Sequence, residues 1–190
     1  MSVLVSIATK RNLHAELVKW LLSLAPGEAG IDIVNDPHPL EHVRNLQVKR
    51  FLNSPFERLF IVDSDCVPPR DSVKLIQSFD LPILSIPHPA NKGDETGYMV
   101  LDRSPDGKGY VQHRKLIGLQ ECDAVGCSGL AIKREVFIKI GTPHFRFIYN
   151  DEGFLSKGED FDFCGRAKKK GYKIYAYCDQ VQRHYVEMVI

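Results

Sequence analysis

Two carboxylates spaced one residue apart, Asp63 and Asp65, follow an apolar run that extends from Phe60 to Val62. Residues i and i+2 of an extended segment point to the same side, so both carboxylates face one spot where a buried strand ends. Such oxygen ligands suit Mg²⁺ or Mn²⁺, which leave their other positions to water and substrate phosphates. Taken alone, the pattern is also typical of a polar turn. The rest of the sequence must decide between the two.

The first half of the chain alternates short apolar segments with amphipathic ones. The predicted strands are 3–8, 31–34, 59–62 and 83–86, and the predicted helices are 14–24, 40–52 and one that follows Pro68-Pro69. This alternation indicates an α/β fold with a largely parallel sheet. Ligands of such sheets bind beyond the carboxyl ends of the strands, where Thr9, Asp36 and Asp63-Ser64-Asp65 all fall.

The second half has a different character. Residues 88–110 are rich in Gly, Pro and charge, and Ser104-Pro105-Asp106-Gly107 is a turn signal, so we expect a hairpin or a mobile flap there. Small residues at 125–129 lead into a strand that is followed by a helix at 134–140. A further helix begins after Gly158 and ends at Gly171, and a last strand is predicted at 172–177.

Length and composition limit the class of protein. The 190 residues are predicted to form a single domain, 1–190. The formal net charge of +1 implies no overall attraction to nucleic acid or to an anionic membrane. Five cysteines without a Cys-x-x-Cys pair argue against a disulfide framework or a zinc knuckle, so we expect a reducing, cytoplasmic setting. We expect that the first residues are not a signal peptide, and no apolar stretch approaches the ~18 residues that span a bilayer.

Four elements occur in a fixed order: Asp63-Ser64-Asp65, Gly126-Cys127-Ser128-Gly129, Gly158-Glu159-Asp160 and a late His184. With Arg44-Asn45, they give a chain that resembles the GT-A fold glycosyltransferases, particularly family 2, over nearly its whole length. The resemblance implies a Rossmann-like, mostly parallel central sheet flanked by helices, with a small additional hairpin or flap. The tryptophan usual before the Gly-x-Glu-Asp element is absent, so the resemblance does not identify the acceptor.

The resemblance also implies a donor site at the carboxyl edge of the sheet. The donor would be a nucleotide-diphosphate sugar, a UDP-sugar first, with its diphosphate held by Mn²⁺ or Mg²⁺. Asp65 would ligate the metal, and Asp63 would contact the nucleoside or ribose, or reach the metal through water. His184 matches a late histidine that serves many relatives as a further metal ligand. An imidazole beside carboxylates favours Mn²⁺.

Other residues would surround the donor. Thr9 and Asp36 would lie near the base, and Arg44 matches an arginine that contacts the donor nucleotide, where its planar fork would also suit phosphate. The resemblance further implies donor-site positions for Ser64, Gly126, Ser128 and Gly129. The small residues among these equally suit tight strand packing, and the sequence does not separate the two readings.

The catalytic pair implied by the resemblance is Glu159 and Asp160. Asp160 matches the general base that removes a proton from the acceptor hydroxyl as it attacks the anomeric carbon. The alternative is that both are favourable charges in the first turn of a helix, worth ~0.3–1 kcal/mol each.

The sequence thus predicts a metal-dependent glycosyltransferase that moves a hexose to an acceptor hydroxyl. One alternative is a sugar-phosphate nucleotidyltransferase, which would need a Gly-rich loop after the first strand, where residues 8–12 carry charge but no glycine. Another is a non-catalytic nucleotide-sugar or carbohydrate-binding module. Glycans, lipid-linked acceptors, proteins and modified nucleobases all remain candidate acceptors. The sequence does not decide between a monomer and a homo-oligomer.

Overall fold

The protein is described by a computed structural model that covers residues 1–92, 95–113 and 116–185. The helices are α1 (Ala15–Ser23), α2 (Leu40–Leu52), α3 (Ser72–Ser78), α4 (Arg134–Ile140) and α5 (Glu159–Lys169). The strands are β1 (Val3–Thr9), β2 (Gly30–Asn35), β3 (Arg58–Asp63), β4 (Cys66–Val67), β5 (Ile83–Ser85), β6 (Pro89–Lys92), β7 (Glu95–Tyr98), β8 (Val100–Arg103), β9 (Tyr110–Gln112), β10 (Leu119–Cys122), β11 (Ala124–Val125), β12 (Leu130–Lys133), β13 (Ile148–Tyr149), β14 (Leu155–Lys157), β15 (Ile174–Tyr177) and β16 (Arg183–His184).

Seven strands form the central sheet, in the order β10-β15-β5-β12-β3-β1-β2. Strands β2, β1, β3, β5 and β15 run in one direction, whereas β12 and β10 run against their neighbours. The sheet is therefore mostly parallel, as predicted. The carboxyl ends of β1, β2 and β3 lie side by side at one edge, because these three strands are adjacent and parallel.

Helices cover both faces of this sheet. Alternate residues of β1 point to opposite faces, as expected of an extended strand. Val5 and Ile7 pack in one core cluster with Trp20 of α1 and residues of α3. Leu4 packs in the other, with Phe51 of α2 and residues of α4 and α5. This burial on both faces explains why the strand sequences are continuous apolar runs.

Most predicted helices begin and end close to the predicted residues. The bounds of α2 and α4 match the predictions, and α5 begins after Gly158 and ends before Gly171, which has a φ of +87°. Within α1 the buried side chains are Leu17 and Trp20, whereas Leu22 is 81% exposed.

The predicted hairpin is confirmed, and it belongs to a small sheet. β8 pairs with β9 across the turn that contains Ser104-Pro105-Asp106-Gly107, and β8 also pairs with β11. A second hairpin joins β6 and β7. These hairpins therefore attach to the segment that leads into Gly126, next to the edge of the central sheet.

A short antiparallel pairing near the end of the chain was not predicted. Strand β16 pairs with β4 so that His184 lies opposite Cys66. Because β4 directly follows Asp63-Ser64-Asp65, the pairing brings the late histidine to the carboxylate motif. Two-residue strands carry no periodic pattern, so the sequence could not reveal this step.

Candidate functional site

A cleft of about 520 Å³ opens at the carboxyl ends of β1, β2 and β3. Its walls contain the predicted residues Thr9, Asp36, Asp63, Ser64 and Asp65. Ligands of open α/β sheets bind at this edge. Residues that are far apart in sequence are thus brought to one site by the parallel order of three strands.

Asp65, on the wall of this cleft, lies next to His184. The imidazole Nε2 of His184 lies 3.4 Å from a carboxylate oxygen of Asp65, and the two side chains are 30% and 51% exposed. The backbone N–H of Tyr185 donates to the carbonyl oxygen of Asp65 at 2.9 Å. The Tyr185 ring also stacks on His14 at 3.9 Å between centroids. These contacts of Tyr185 position the segment that carries His184 beside Asp65, and both side chains remain accessible to solvent.

The residues around Asp65 fit a divalent cation. Ligand atoms of Asp65, Cys66 and His184 all lie within 4.8 Å of one another. Burial raises the pKa of the Cys66 thiol to about 12, which disfavours the thiolate form that a metal would bind. The available ligands are therefore a carboxylate and an imidazole, a donor set that suits Mn²⁺ and leaves positions for phosphate oxygens.

Asp63 is held by Arg44 rather than by the group around Asp65. The guanidinium of Arg44 donates to Asp63 Oδ1 and also contacts Gln47. Arg44 is only 1% exposed, and the Asp63 side chain is 34% exposed. The guanidinium thus lies behind Asp63 and not on the cleft wall, whereas the sequence suggested a direct contact with the nucleotide. Arg44 instead positions the carboxylate of Asp63.

The small residues near Gly129 serve packing. Ser128 Oγ accepts a hydrogen bond from the Asp63 N–H at 3.1 Å and lies 3.5 Å from Gln182 Oε1. A Cβ on Gly129 would lie 2.1 Å from both Gln182 Nε2 and the Ile86 carbonyl oxygen. A Cβ on Gly126 would overlap the ring of His88 at 2.7 Å. The described contacts of this segment thus favour the packing alternative over a donor-sugar pocket.

Thr9 and Asp36 lie on the cleft wall, but their polar atoms already have partners. Thr9 Oγ1 donates to the Asn12 carbonyl and accepts from the Arg11 N–H, so it closes the loop after β1. Asp36 Oδ1 accepts from the backbone and the ring of His38. Asp36 and His38 form, with His42, a second group of side chains whose ligand atoms lie within 4.8 Å of one another.

Glu159 and Asp160 lie at the N-terminus of α5. Glu159 is buried, and burial raises its pKa, which the nearby Arg44 partly offsets. Burial and then the charge of Glu159 raise the pKa of Asp160 to about 7. Asp160 Oδ1 accepts from the Phe161 N–H at 2.8 Å. A carboxyl group with a pKa near 7 is suited to act as a general base at neutral pH.

Gly158 acts through its size rather than its backbone conformation. Its φ of −65° is ordinary for any residue, but a Cβ would lie 2.9 Å from Asp160 Oδ1. The glycine therefore keeps space around the carboxylate.

Sequence reasoning missed several residues of the site. Lys10 and Arg11 line the cleft and are exposed, which offers cations beside the carboxylates. His88 follows β5, and its ring packs edge-on against His184 at 5.6 Å between centroids. Burial lowers the pKa of His88. His88 follows a predicted strand, so the rule that ligands bind at strand carboxyl ends could have indicated it. Gln182, which contacts Ser128, follows no predicted motif and could not be found from the sequence.

Comparison with solved structures identifies the fold. A197 from STIV is 19% identical, with a TM-score of 0.70, and the match covers 98% of this chain and 87% of A197. GalNAc-T7, solved with UDP, GalNAc and Mn²⁺, is 13% identical, with a TM-score of 0.59 and coverage of 98% and 44%. S. aureus TarS, solved with UDP-GlcNAc, is 14% identical, with a TM-score of 0.60 and coverage of 100% and 60%.

Sequence comparisons add no closer assignment. No protein-family model matches the chain, and no curated protein matches it in sequence. The chain spans less than two thirds of the GalNAc-T7 and TarS chains, so their activities are not transferred by the likeness alone. The three-dimensional similarity and the seven-stranded sheet confirm the predicted fold class: the chain has the fold of the GT-A glycosyltransferases.

Proposed function

We propose that this protein is a metal-dependent glycosyltransferase that moves a hexose from a UDP-sugar to an acceptor hydroxyl. The observation that carries the proposal is that Asp63 and Asp65 line one cleft and that His184 lies 3.4 Å from Asp65. The fold neighbours solved with UDP and Mn²⁺ or with UDP-GlcNAc support this choice of donor and metal.

Within this proposal, each acidic residue has a distinct part. Asp65 and His184 would hold Mn²⁺, which when bound supplies positive charge for the diphosphate. Asp63, fixed by Arg44, faces the cleft and is available to the ribose or to a metal-bound water. Lys10 and Arg11 add exposed cations for the phosphates.

Asp160 would act as the general base. It accepts the proton of the acceptor hydroxyl as that oxygen forms its bond to the anomeric carbon and the bond to the diphosphate breaks. Direct displacement of this kind inverts the anomeric configuration. Glu159, next to Asp160 in the sequence, is buried, and its charge raises the pKa of Asp160 toward neutrality.

Release of nucleotide from a panel of donors tests the proposal. Purified protein would be mixed with UDP-glucose, UDP-galactose, UDP-N-acetylglucosamine or GDP-mannose, in Mn²⁺ or in EDTA. We expect release of UDP from one UDP-sugar in Mn²⁺ only, with at least tenfold slower release by Asp65→Ala. Asp71→Ala, an exposed acidic position outside the cleft, is the matched control and should release UDP at the wild-type rate.

No release from any donor, with no metal-dependent binding of UDP or GDP, would reject the nucleotide-sugar site. Metal-dependent UDP binding without release from any donor would instead favour a nucleotide-sugar-binding module.

A further inference from the structure

A second cleft, of about 760 Å³, lies between the β8–β9 hairpin and the start of α5. Its walls include Tyr98, Arg103, Lys108, Tyr110, Lys157 and Phe161. Its volume falls in the range of small-molecule sites, about 300–1,000 Å³. The cleft shares no wall residue with the donor cleft at the sheet edge.

The charged side chains on this second cleft all have one sign. Arg103, Lys108 and Lys157 line it, and no Asp or Glu does. Among the described residues, none of the three forms an ion pair. Asp123, which accepts a hydrogen bond from the backbone N–H of Arg103, is already paired with Lys168. Three cations around one cleft, in a chain with a net charge of only +1, indicate an anionic ligand.

A stack of side chains leads from Arg103 to Phe161, the residue that follows the proposed base. The guanidinium of Arg103 lies 4.9 Å from the centroid of the Tyr110 ring. Tyr110 stacks on Phe161 with 5.1 Å between centroids. Phe161 directly follows Asp160, and its N–H donates to the Asp160 carboxylate. A ligand in this cleft would therefore lie against Phe161, the residue that directly follows Asp160.

We infer that this second cleft binds the acceptor and that the acceptor carries a phosphate group. The inference rests on the proposed glycosyltransferase function. Aromatic faces at Tyr98 and Tyr110 offer stacking surfaces for a sugar ring, and the planar fork of Arg103 matches phosphate oxygens. Lys108 and Lys157 supply further charge. A phosphorylated sugar and a polyprenyl phosphate share this chemistry.

Direct binding in the absence of donor tests the inference. Glucose 1-phosphate, N-acetylglucosamine 1-phosphate and farnesyl phosphate would be titrated calorimetrically in EDTA, beside glucose, N-acetylglucosamine and farnesol. We expect at least tenfold tighter binding of a phosphorylated compound than of its uncharged counterpart. Binding of the sugar phosphates identifies a saccharide source of the phosphate, and binding of farnesyl phosphate alone identifies a lipid source.

Variants locate the bound phosphate. Arg103→Gln and Lys157→Glu should each weaken binding at least tenfold, and thermal denaturation should show that both variants remain folded because both side chains lie at the cleft surface. Lys74→Glu, at an exposed lysine on α3, is the matched control and should bind as wild type. Asp65→Ala should also bind the phosphate normally, because it alters only the donor cleft.

Three results would overturn the inference. The first is equal binding of the charged and uncharged compounds, and the second is an equal loss of binding in Lys74→Glu. The third is a protein that binds a single-stranded oligonucleotide but neither the sugar phosphates nor farnesyl phosphate. The test also separates the two proposals. Phosphate binding without UDP release would reject the glycosyltransferase function, whereas UDP release without phosphate binding would reject only the charged acceptor.

Discussion

At the residue scale, the burial of the Asp160 side chain disfavours its ionised form. Water stabilises an ionised carboxylate. Burial removes part of this stabilisation, and the negative charge of Glu159 adds repulsion. The same conditions that make the carboxylate costly to ionise also make it a stronger base. The carboxyl group is therefore poised to take up a proton near neutral pH.

The pH dependence of activity follows from this pKa. A base must be unprotonated, so we expect kcat/KM to rise with pH through about 7, the pKa of Asp160. Below that pH the rate should fall about tenfold per pH unit. Initial rates between pH 5 and 9 at saturating Mn²⁺ would measure it. A profile that stays flat down to pH 5 would remove Asp160 from the role of base.

Asp160 should also lower the stability of the fold when ionised. Its folded pKa of about 7 lies above the ordinary 3.8, so the folded state binds more protons between these values. The free energy of unfolding therefore falls as pH rises from about 4 to 7. One pKa unit corresponds to about 1.4 kcal/mol. Asp160→Asn should therefore raise the free energy of unfolding by roughly 1–3 kcal/mol at pH 8 and leave it unchanged near pH 4. Urea denaturation at both pH values measures the difference.

Asp162, in the same helical turn, provides the control. Its carboxylate pairs with Arg146 and Arg166, so Asp162→Asn should lower the free energy of unfolding at pH 8. If both variants lose stability, negative charge at the N-terminus of α5 stabilises the helix at either position. The destabilising effect assigned to ionised Asp160 would then be wrong.

At the scale of elements, the segment from Ser128 to Gly129 links the carboxylate motif to the end of the chain. Ser128 contacts Asp63 on one side and Gln182 on the other. Gln182 Nε2 in turn donates to the Ile86 carbonyl at 2.8 Å. Two residues after Gln182 comes His184, so this packing helps to set the position of the proposed metal ligand.

Gly129→Ala should disturb both stability and the metal site. The new Cβ would overlap Gln182 and the Ile86 carbonyl, and the φ of +80° is unfavourable for alanine. We expect a loss of about 3–5 kcal/mol in unfolding free energy, with weaker Mn²⁺ binding as His184 shifts. Gly27 has the same φ but no atom near a Cβ, so Gly27→Ala should cost only about 1 kcal/mol. Equal losses in both variants would contradict the packing role.

Elements with strong periodic patterns were predictable. The sequence located α2 and α4, and alternating strands and helices indicated the parallel part of the sheet. The two-residue strands β4 and β16 were not predictable, since their pairing depends on contacts between residues far apart in the chain. The motif residues at strand ends could be found from sequence, but the burial of Arg44 behind Asp63 could not.

At the scale of the whole molecule, charge is distributed between two clefts. The cleft at the carboxyl ends of β1, β2 and β3 combines three aspartates with Lys10 and Arg11, whereas the second cleft has only cations among its charged wall residues. The near-zero net charge of the sequence conceals this separation. None of the helices in the described part of the chain combines the length and the hydropathy of a membrane span.

A comparison of wild-type protein with Asp160→Asn tests the proposed function. UDP binding would be measured by calorimetry in Mn²⁺ and in EDTA, and UDP release from the active donor would be measured in parallel. If Asp160 is the general base, Mn²⁺-dependent UDP binding should have similar affinity in both proteins, with release at least 100-fold slower in Asp160→Asn. Wild-type protein that binds no UDP in Mn²⁺, or an Asp160→Asn variant that releases UDP at the wild-type rate, would contradict the proposed function.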